Sequence, residues 1–178
     1  MDTSIWGSKF WFLLHIILIH TKSDVPQSVY KTFFINLQYL LPCGKCRRHY
    51  RNHLRYLPFP DKKKDNNAWL IKIHNRVNRS LKQPEIDVGV ATMYWENQYK
   101  FYTTNFNLTN KNKQINLKKI AEFLLDAYNC NPIKEPHLFF WKNINRLLPF
   151  ELPVPNITLR EFEHYEKWIS LLKLTCII

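Results

Sequence analysis

The sequence predicts an all-α protein, and three observations carry that expectation. Apolar residues recur at three- and four-residue intervals along much of the chain, and no alternating strand pattern persists. Only 3 of the 178 residues are glycine while 15% are aromatic, which favours packed helices over a loop-rich fold. Prolines, 10 in all, punctuate the chain between its periodic segments. Hydrophobic residues reach 46%, enough to build a core and to exclude a disordered chain.

The first helix is expected over Ser4–His20, apolar nearly all round and so deeply buried. Its apolar run Phe10–Ile19 lacks a basic preceding segment and a small-residue cleavage site, is too short to cross a bilayer and contains His15. It therefore reads as a buried helix, neither a signal peptide nor a membrane span, and synthesis in the cytosol is expected. Pro26 opens a second helix to about Leu41, with Val29, Phe33, Phe34, Leu37, Leu40 and Leu41 at helical spacing. Pro42 ends it. A third helix is expected from Gly44 to Leu57, with Cys43 at its start. Pro58, Pro60 and the polar run Asp61–Asp65 form a connection. Asn67 is the expected N-cap of a fourth helix, Ala68–Leu81, which stops before Pro84. A shorter fifth helix is expected over Val88–Tyr102.

Thr103–Gln114 is rich in Asn, Thr and Lys without an apolar period, and reads as a linker or exposed loop. Beyond it, Leu117–Asn129 and Thr158–Leu174 are expected to be helical, with breaks at Pro132, Pro136, Pro149, Pro153 and Pro155. The chain thus divides into residues 1–102 and a C-terminal helical extension, 103–178, expected to serve dimerisation or substrate docking.

The net charge of +12 is concentrated in the first hundred residues. Such charge suits nucleic acid, a membrane surface or a phosphate-bearing cofactor. The basic runs Lys62–Lys64 and Arg47-Arg48 are short and do not alternate with aromatics as a base-stacking surface does, so they read as a solvated face without a nucleic-acid partner. The four cysteines, Cys43, Cys46, Cys130 and Cys176, are too few and too irregularly spaced for a secreted disulfide scaffold. Cys130 and Cys176 read as buried or inert; a bond between them, or a lone shuttle thiol at Cys176, are the alternatives.

The chemistry centres on Cys43-Gly44-Lys45-Cys46. Two intervening residues let the sulfurs meet across one helical turn. A cysteine at a helix N-terminus is favoured as thiolate by free backbone N–H groups and the helix dipole, and Lys45, Arg47 and Arg48 add positive charge. Such a pair exchanges with other thiols. The other reading is zinc, with Cys43, Cys46, His49 and His53 as ligands of a basic binding module. On the first helix, Gly7, Trp11 and His15 follow i, i+4, i+8 and share one face. That stripe is either a wall for a planar ligand or ordinary core with a satisfied histidine. On the fourth, His74, Asn78 and Lys82 repeat the spacing, with Asn75 beside them. Asn and His are poor helix formers, and as donors they suit a dinucleotide.

In order and spacing, these residues resemble the Erv/ALR flavin-dependent sulfhydryl oxidases. The resemblance rests on Trp6-Gly7, Trp11 and His15; on Pro42, Cys43, Cys46 and His49; on Trp69, His74-Asn75, Val77-Asn78, Leu81 and Pro84; and on Trp95. It covers residues 4 to about 100. It implies a four-helix bundle plus a short fifth helix, binding FAD, with residues 1–102 as that domain. It implies that Cys46 lies next to the isoalloxazine ring and that Cys43 exchanges with substrate. Trp11, His15, His74, Asn75, Val77, Asn78, Lys82 and Trp95 line the flavin site in this reading, with Gly7, Lys9 and His49 as further members; no metal is implied. A thiol oxidase of this kind takes a dithiol protein or a small thioredoxin-like relay protein as substrate, passes electrons through FAD to oxygen and yields hydrogen peroxide. Relatives are commonly homodimers; an inactive relative that binds flavin as a scaffold is the further alternative.

Two departures stand out. Val88 occupies a place where many cellular members have a cysteine, and no partner cysteine lies between Cys46 and Cys130. No separate shuttle CxxC or CxC occurs. Both features resemble the short enzymes of large DNA viruses, and a Lys-, Asn- and Ile-rich composition fits an AT-rich genome. A viral origin, with location in the host cytoplasm or the virion, is expected on that ground.

Overall fold

The computed structural model describes residues 3–104 and 134–148, with side chains described for all of these but 3–6, 9, 101–104 and 134. The described chain is helical, with six α-helices: α1 (Thr3–Ile19), α2 (Gln27–Leu40), α3 (Gly44–Tyr56), α4 (Asn66–Ser80), α5 (Val88–Thr104) and α6 (Lys134–Leu147). A short 3-10 turn, Lys63–Asp65, precedes α4. No described helix is long and apolar enough to cross a membrane.

α1 is buried at every position from Leu13 to Leu18, as an all-round apolar helix requires. It packs against α4 and α5, which also touch each other. α2 presents Tyr30, Phe33, Phe34, Leu37 and Leu40 to the interior, all at most 1% exposed. Each such side chain contributes roughly 1.5–3 kcal/mol on burial. α3 lies on α2, fixed by the Tyr50 hydroxyl, which donates to the Phe34 carbonyl oxygen at 2.9 Å. Burial raises the Tyr50 pKa far above that of free tyrosine, so the donor stays protonated.

The far end of the bundle is closed by an amide pair. Gln27 Nε2 donates to Asn66 Oδ1 at 2.8 Å and to the Pro60 carbonyl oxygen at 2.7 Å, while Asn66 Nδ2 donates to Gln27 Oε1 at 3.1 Å. Asn66 is fully buried and hydrogen-bonded, which offsets the cost of burying its polar group. Trp69 Nε1 donates to the Leu57 carbonyl oxygen at 3.0 Å.

Three elements differ from expectation. Asn67 does not cap α4. The 3-10 turn runs directly into the helix, with the Asn66 amide bonded to the Lys63 carbonyl, so no side-chain cap is used. Asn67 Nδ2 instead donates to Thr92 Oγ1 on α5 at 2.9 Å. The fifth helix is not short: α5 has 17 residues, the same as α1. Asp87 Oδ1 accepts the amides of Gly89 and Val90 at its start, and Ala91, Trp95 and Tyr99, spaced i, i+4, i+8, rest inward.

The third difference is α6, where the prolines had argued for a break. Pro136 sits in the first turn, where a missing N–H costs nothing. His137, Phe140, Trp141, Ile144, Leu147 and Leu148 follow helical spacing and are all buried. α6 packs on α2, and Phe140 stacks on Phe33 at 5.1 Å between ring centroids. The expected helices Leu117–Asn129 and Thr158–Leu174, nearly all of the Thr103–Gln114 loop, and Cys130 and Cys176 lie outside the described residues.

Candidate functional site

Pro42 stops α2, and the chain turns at once into α3 with Cys43 as the N-cap residue. Cys43 and Cys46 are joined in a disulfide, their Cα atoms 5.1 Å apart. The Cys46 amide donates to Cys43 Sγ at 3.2 Å. One of the free amides of the helix start is thus directed at this sulfur. Arg47 Nη1 donates to the Leu41 carbonyl oxygen at 2.7 Å, holding the α2–α3 corner. Both cysteines are half-buried and rest on the core. Residues drawn from cysteine, histidine, aspartate and glutamate nowhere gather in groups of three or more fit to hold a metal ion, among the described residues. The zinc set also loses its thiolates to the disulfide, and His53 Nδ1 accepts instead from Arg76 Nε at 3.2 Å.

A second constellation lies where α1, α4 and α5 meet. Trp11 stacks on His74 with ring centroids 3.9 Å apart and 8° between planes. His15 stacks on Trp95 at 4.3 Å and 9°. The two stacks are joined edge to edge, with His15 Nε2 and His74 Nδ1 3.1 Å apart, so one ring donates and the other accepts. Phe12 closes on Trp95 at 6.0 Å. His15 is 1% exposed, and its Nδ1 is buried with no hydrogen-bond partner among the described residues. Burial, then the neighbouring His74, hold the pKa of His15 well below the usual histidine range. Burial lowers that of His74 to about 4. Both rings are neutral at physiological pH.

The other candidate residues are placed differently. A Cβ at Gly7 would meet nothing within 4 Å among the described residues, so the stripe on α1 has room at that end within them. Asn75 pairs with the chain after α4: Nδ2 donates to the Ile86 carbonyl oxygen at 2.7 Å, and Oδ1 accepts the Ile86 amide at 3.0 Å. Asn78 Nδ2 donates to the Pro84 carbonyl oxygen at 3.2 Å. These two amides fold the Lys82–Asp87 connection back along α4. Val77 is half-buried on the same helix, Lys82 is exposed, and His49 is exposed on α3. The Lys9 side chain lies outside those described.

Lys82 carries a feature that spacing alone did not indicate. Its φ is 57°, and it stands just past the end of α4. The Lys82 amide bonds to the Arg79 carbonyl at 3.1 Å and the Gln83 amide to the Asn78 carbonyl at 2.8 Å, closing a Schellman motif in which glycine is the usual residue. The Arg79–Glu85 pair, at 2.7 Å, braces the same turn.

A helical bundle with a disulfide at one helix start and interlocked histidine and tryptophan rings where three helices meet defines a class: a helical protein built around a redox-capable cysteine pair. The chain belongs to the Erv1/Alr family, whose model matches residues 8–100. It is 34% identical over 85 residues to a probable FAD-linked sulfhydryl oxidase of Acanthamoeba polyphaga mimivirus, covering 44% of this chain and 59% of that protein. It is 35% identical over 81 residues to an FAD-linked sulfhydryl oxidase of African swine fever virus, covering 43% of this chain and 67% of that one. To the mitochondrial FAD-linked sulfhydryl oxidase of Saccharomyces cerevisiae it is 24% identical over 103 residues, covering 56% and 52%. The chain therefore spans between half and two thirds of the length of these relatives. No solved structure matches it. α6 lies beyond the matched segment.

Proposed function

We propose that the protein is an FAD-dependent thiol oxidase that forms disulfides in protein dithiols through Cys43 and Cys46. One observation carries the reading: the same bundle holds a disulfide at a helix start and a buried histidine, His15, that stacks on tryptophan yet has no partner for Nδ1 among the described residues.

The residues suit FAD. Trp11, His15, His74 and Trp95 offer flat faces, Nδ1 of His15 offers an unmet hydrogen-bonding position, and the open side of Gly7 offers room. These are the residues that would hold the group, with Val77 and Lys82 beside them on and after α4. Asn75 and Asn78 support the site through the α4–α5 connection that they bind. When bound, FAD accepts an electron pair from the reduced dithiol and passes it to oxygen, giving hydrogen peroxide.

The chain's own part is thiol exchange. A substrate thiolate attacks Cys43 Sγ, the Cys43–Cys46 bond breaks, and Cys46 leaves as thiolate. The second substrate thiolate then attacks the substrate sulfur of this mixed disulfide. Cys43 leaves as thiolate and the substrate carries a disulfide. The Cys46 amide aimed at Cys43 Sγ and the positive end of α3 favour Cys43 as that leaving thiolate. The two electrons removed from the substrate now reside on the Cys43/Cys46 dithiol.

The same reading takes a dithiol protein or a small thioredoxin-like relay as substrate, a homodimer as the working form, and the host cytoplasm or virion as the location. The names of the viral relatives support the FAD-linked oxidase activity in this reading. The test is a visible spectrum of the purified protein before and after dithiothreitol in air. A flavin band that bleaches and returns with oxygen is expected. A colourless protein, still colourless after incubation with FAD, refutes the reading.

A further inference from the structure

We infer that the outward face of α3 is the docking surface for the substrate protein, and that this substrate presents carboxylates around its thiols. The inference rests on the oxidase reading of the disulfide and adds the class of substrate to it.

α3 is the most one-sided in charge of the described helices. Its 13 residues include Lys45, Arg47, Arg48, Arg51 and Arg55, with His49 and His53, and no carboxylate. No acidic residue occurs between Asp24 and Asp61. The inner face takes Cys46, Tyr50, His53 and Leu54. Two arginines are engaged within the fold, Arg47 on the Leu41 carbonyl and Arg51 on Gln38 Oε1 at 3.1 Å. Lys45, Arg48, His49 and Arg55 are exposed together on the outer face, which starts at the disulfide and runs for about 15 Å at helical rise.

None of these outer cations is ion-paired with a carboxylate among the described residues. Of the exposed cations elsewhere, Lys31 pairs with Asp61 and Arg79 with Glu85. Like charges three and four residues apart repel along a helix, and an anionic partner laid against them relieves that repulsion. The positive end of the helix dipole adds to the field at the disulfide end. A nucleic acid suits the face less well. Its one aromatic ring, Tyr56, stands at the end away from the disulfide with Arg76 at 5.3 Å from its centroid, so bases find a single stacking ring there rather than a series.

The field also bears on reactivity. Carboxylates beside a cysteine disfavour its thiolate in free solution. Against α3 those carboxylates are neutralised, and the incoming thiol ionises where Cys43 is within reach. An acidic dithiol protein is thus poor at exchange until it docks.

The test uses the full FAD-loaded chain and three CxxC peptides of equal length, with acidic, neutral or basic flanks, and dithiothreitol as an uncharged reference. Oxygen uptake gives kcat/KM at low salt and at about 0.5 M salt, where charges at the surface are screened. The acidic peptide is expected to exceed the basic one by about tenfold or more at low salt, and the advantage should collapse at high salt. In Arg48→Glu/Arg55→Glu, the acidic peptide's kcat/KM relative to that of dithiothreitol should fall about tenfold. Lys62→Glu/Lys64→Glu makes the same change in net charge near the Pro60–Gln27 end, remote from the disulfide, and should preserve the preference. Equal rates for the three peptides, or equal losses in both double variants, overturn the docking surface while dithiothreitol oxidation leaves the oxidase reading standing. Failure to oxidise dithiothreitol overturns both. An oligonucleotide that binds through Arg48 and Arg55 and that the acidic peptide does not displace assigns the face to nucleic acid and overturns the proposal.

Discussion

Replacing Phe140 by alanine asks whether the helix beyond the family-matched segment is part of the fold that carries the site. Phe140 is fully buried, stacked on Phe33 at 5.1 Å and set edge-on to Trp141 at 5.7 Å. Truncation removes a ring whose burial alone contributes roughly 1.5–3 kcal/mol. The cavity it leaves is lined by aromatic rings of two helices, which collapse poorly, so a total loss of about 3–5 kcal/mol is expected. A domain of ordinary stability has about 5–15 kcal/mol to lose from, so the variant should still fold but with a much lower urea midpoint. The fall in Tm should be about 6–20 °C for a chain of this size. Urea unfolding followed by far-UV circular dichroism measures it. A loss under about 1 kcal/mol would mean that α6 contributes little to the packing of α2, and would refute the reasoning.

Further expectations concern the site. Cys46→Ser should keep bound flavin and lose turnover on a small dithiol; normal oxidation by that variant sinks the exchange scheme. His15→Ala should lower flavin retention on gel filtration, because it removes both a stacked ring and the buried Nδ1; an unchanged flavin-to-protein ratio takes His15 out of the site. Lys82→Gly relieves a left-handed backbone conformation that costs a non-glycine residue about 1–2 kcal/mol, partly offset by the added freedom of the unfolded chain. It should raise Tm by about 1–3 °C, and a fall would refute the Schellman reading of the turn. Acid should destabilise the fold. The folded pKa of His74 and of His137 is lowered to about 4, and that of His15 is lowered too, so between roughly pH 6.5 and 4 the unfolded chain binds more protons than the folded one. Stability is therefore full above pH 6.5 and declines as pH falls towards 4; a urea midpoint that stays constant over that range contradicts this.

The parts of the candidate site whose placement was legible in the sequence are those whose geometry is local. Trp11 and His15 sit one helical turn apart, so a common face follows from spacing alone, and the prolines at 26 and 42 bracket α2 as they should. His74 was legible as an unusual helix residue, and Trp95 only through family spacing. What stayed hidden depends on how helices approach one another. That Asn67 serves α5 rather than its own helix start follows from the position of Thr92. That Asn75 and Asn78 bind the next connection, and that Lys82 takes a left-handed conformation, follow from where the chain must go after α4. α6 was legible in its apolar spacing, but Pro136 was given the weight of an interior proline when it stands in a first turn.

The distribution of charge separates the two halves of the chemistry. A chain with net charge +12 holds its ring wall neutral, because burial keeps both His15 and His74 unprotonated. Positive charge is instead gathered along α3, outside the core, at the helix that starts on the disulfide. A cationic ring wall would repel the protonated form of any basic ligand and would cost far more to bury than a neutral one. A neutral α3 would leave Cys43 only the helix dipole and the Cys46 amide to favour its thiolate. Exchange of the two arrangements would impair both, so charge as well as shape distinguishes the exposed helix that starts on the disulfide from the buried ring cluster.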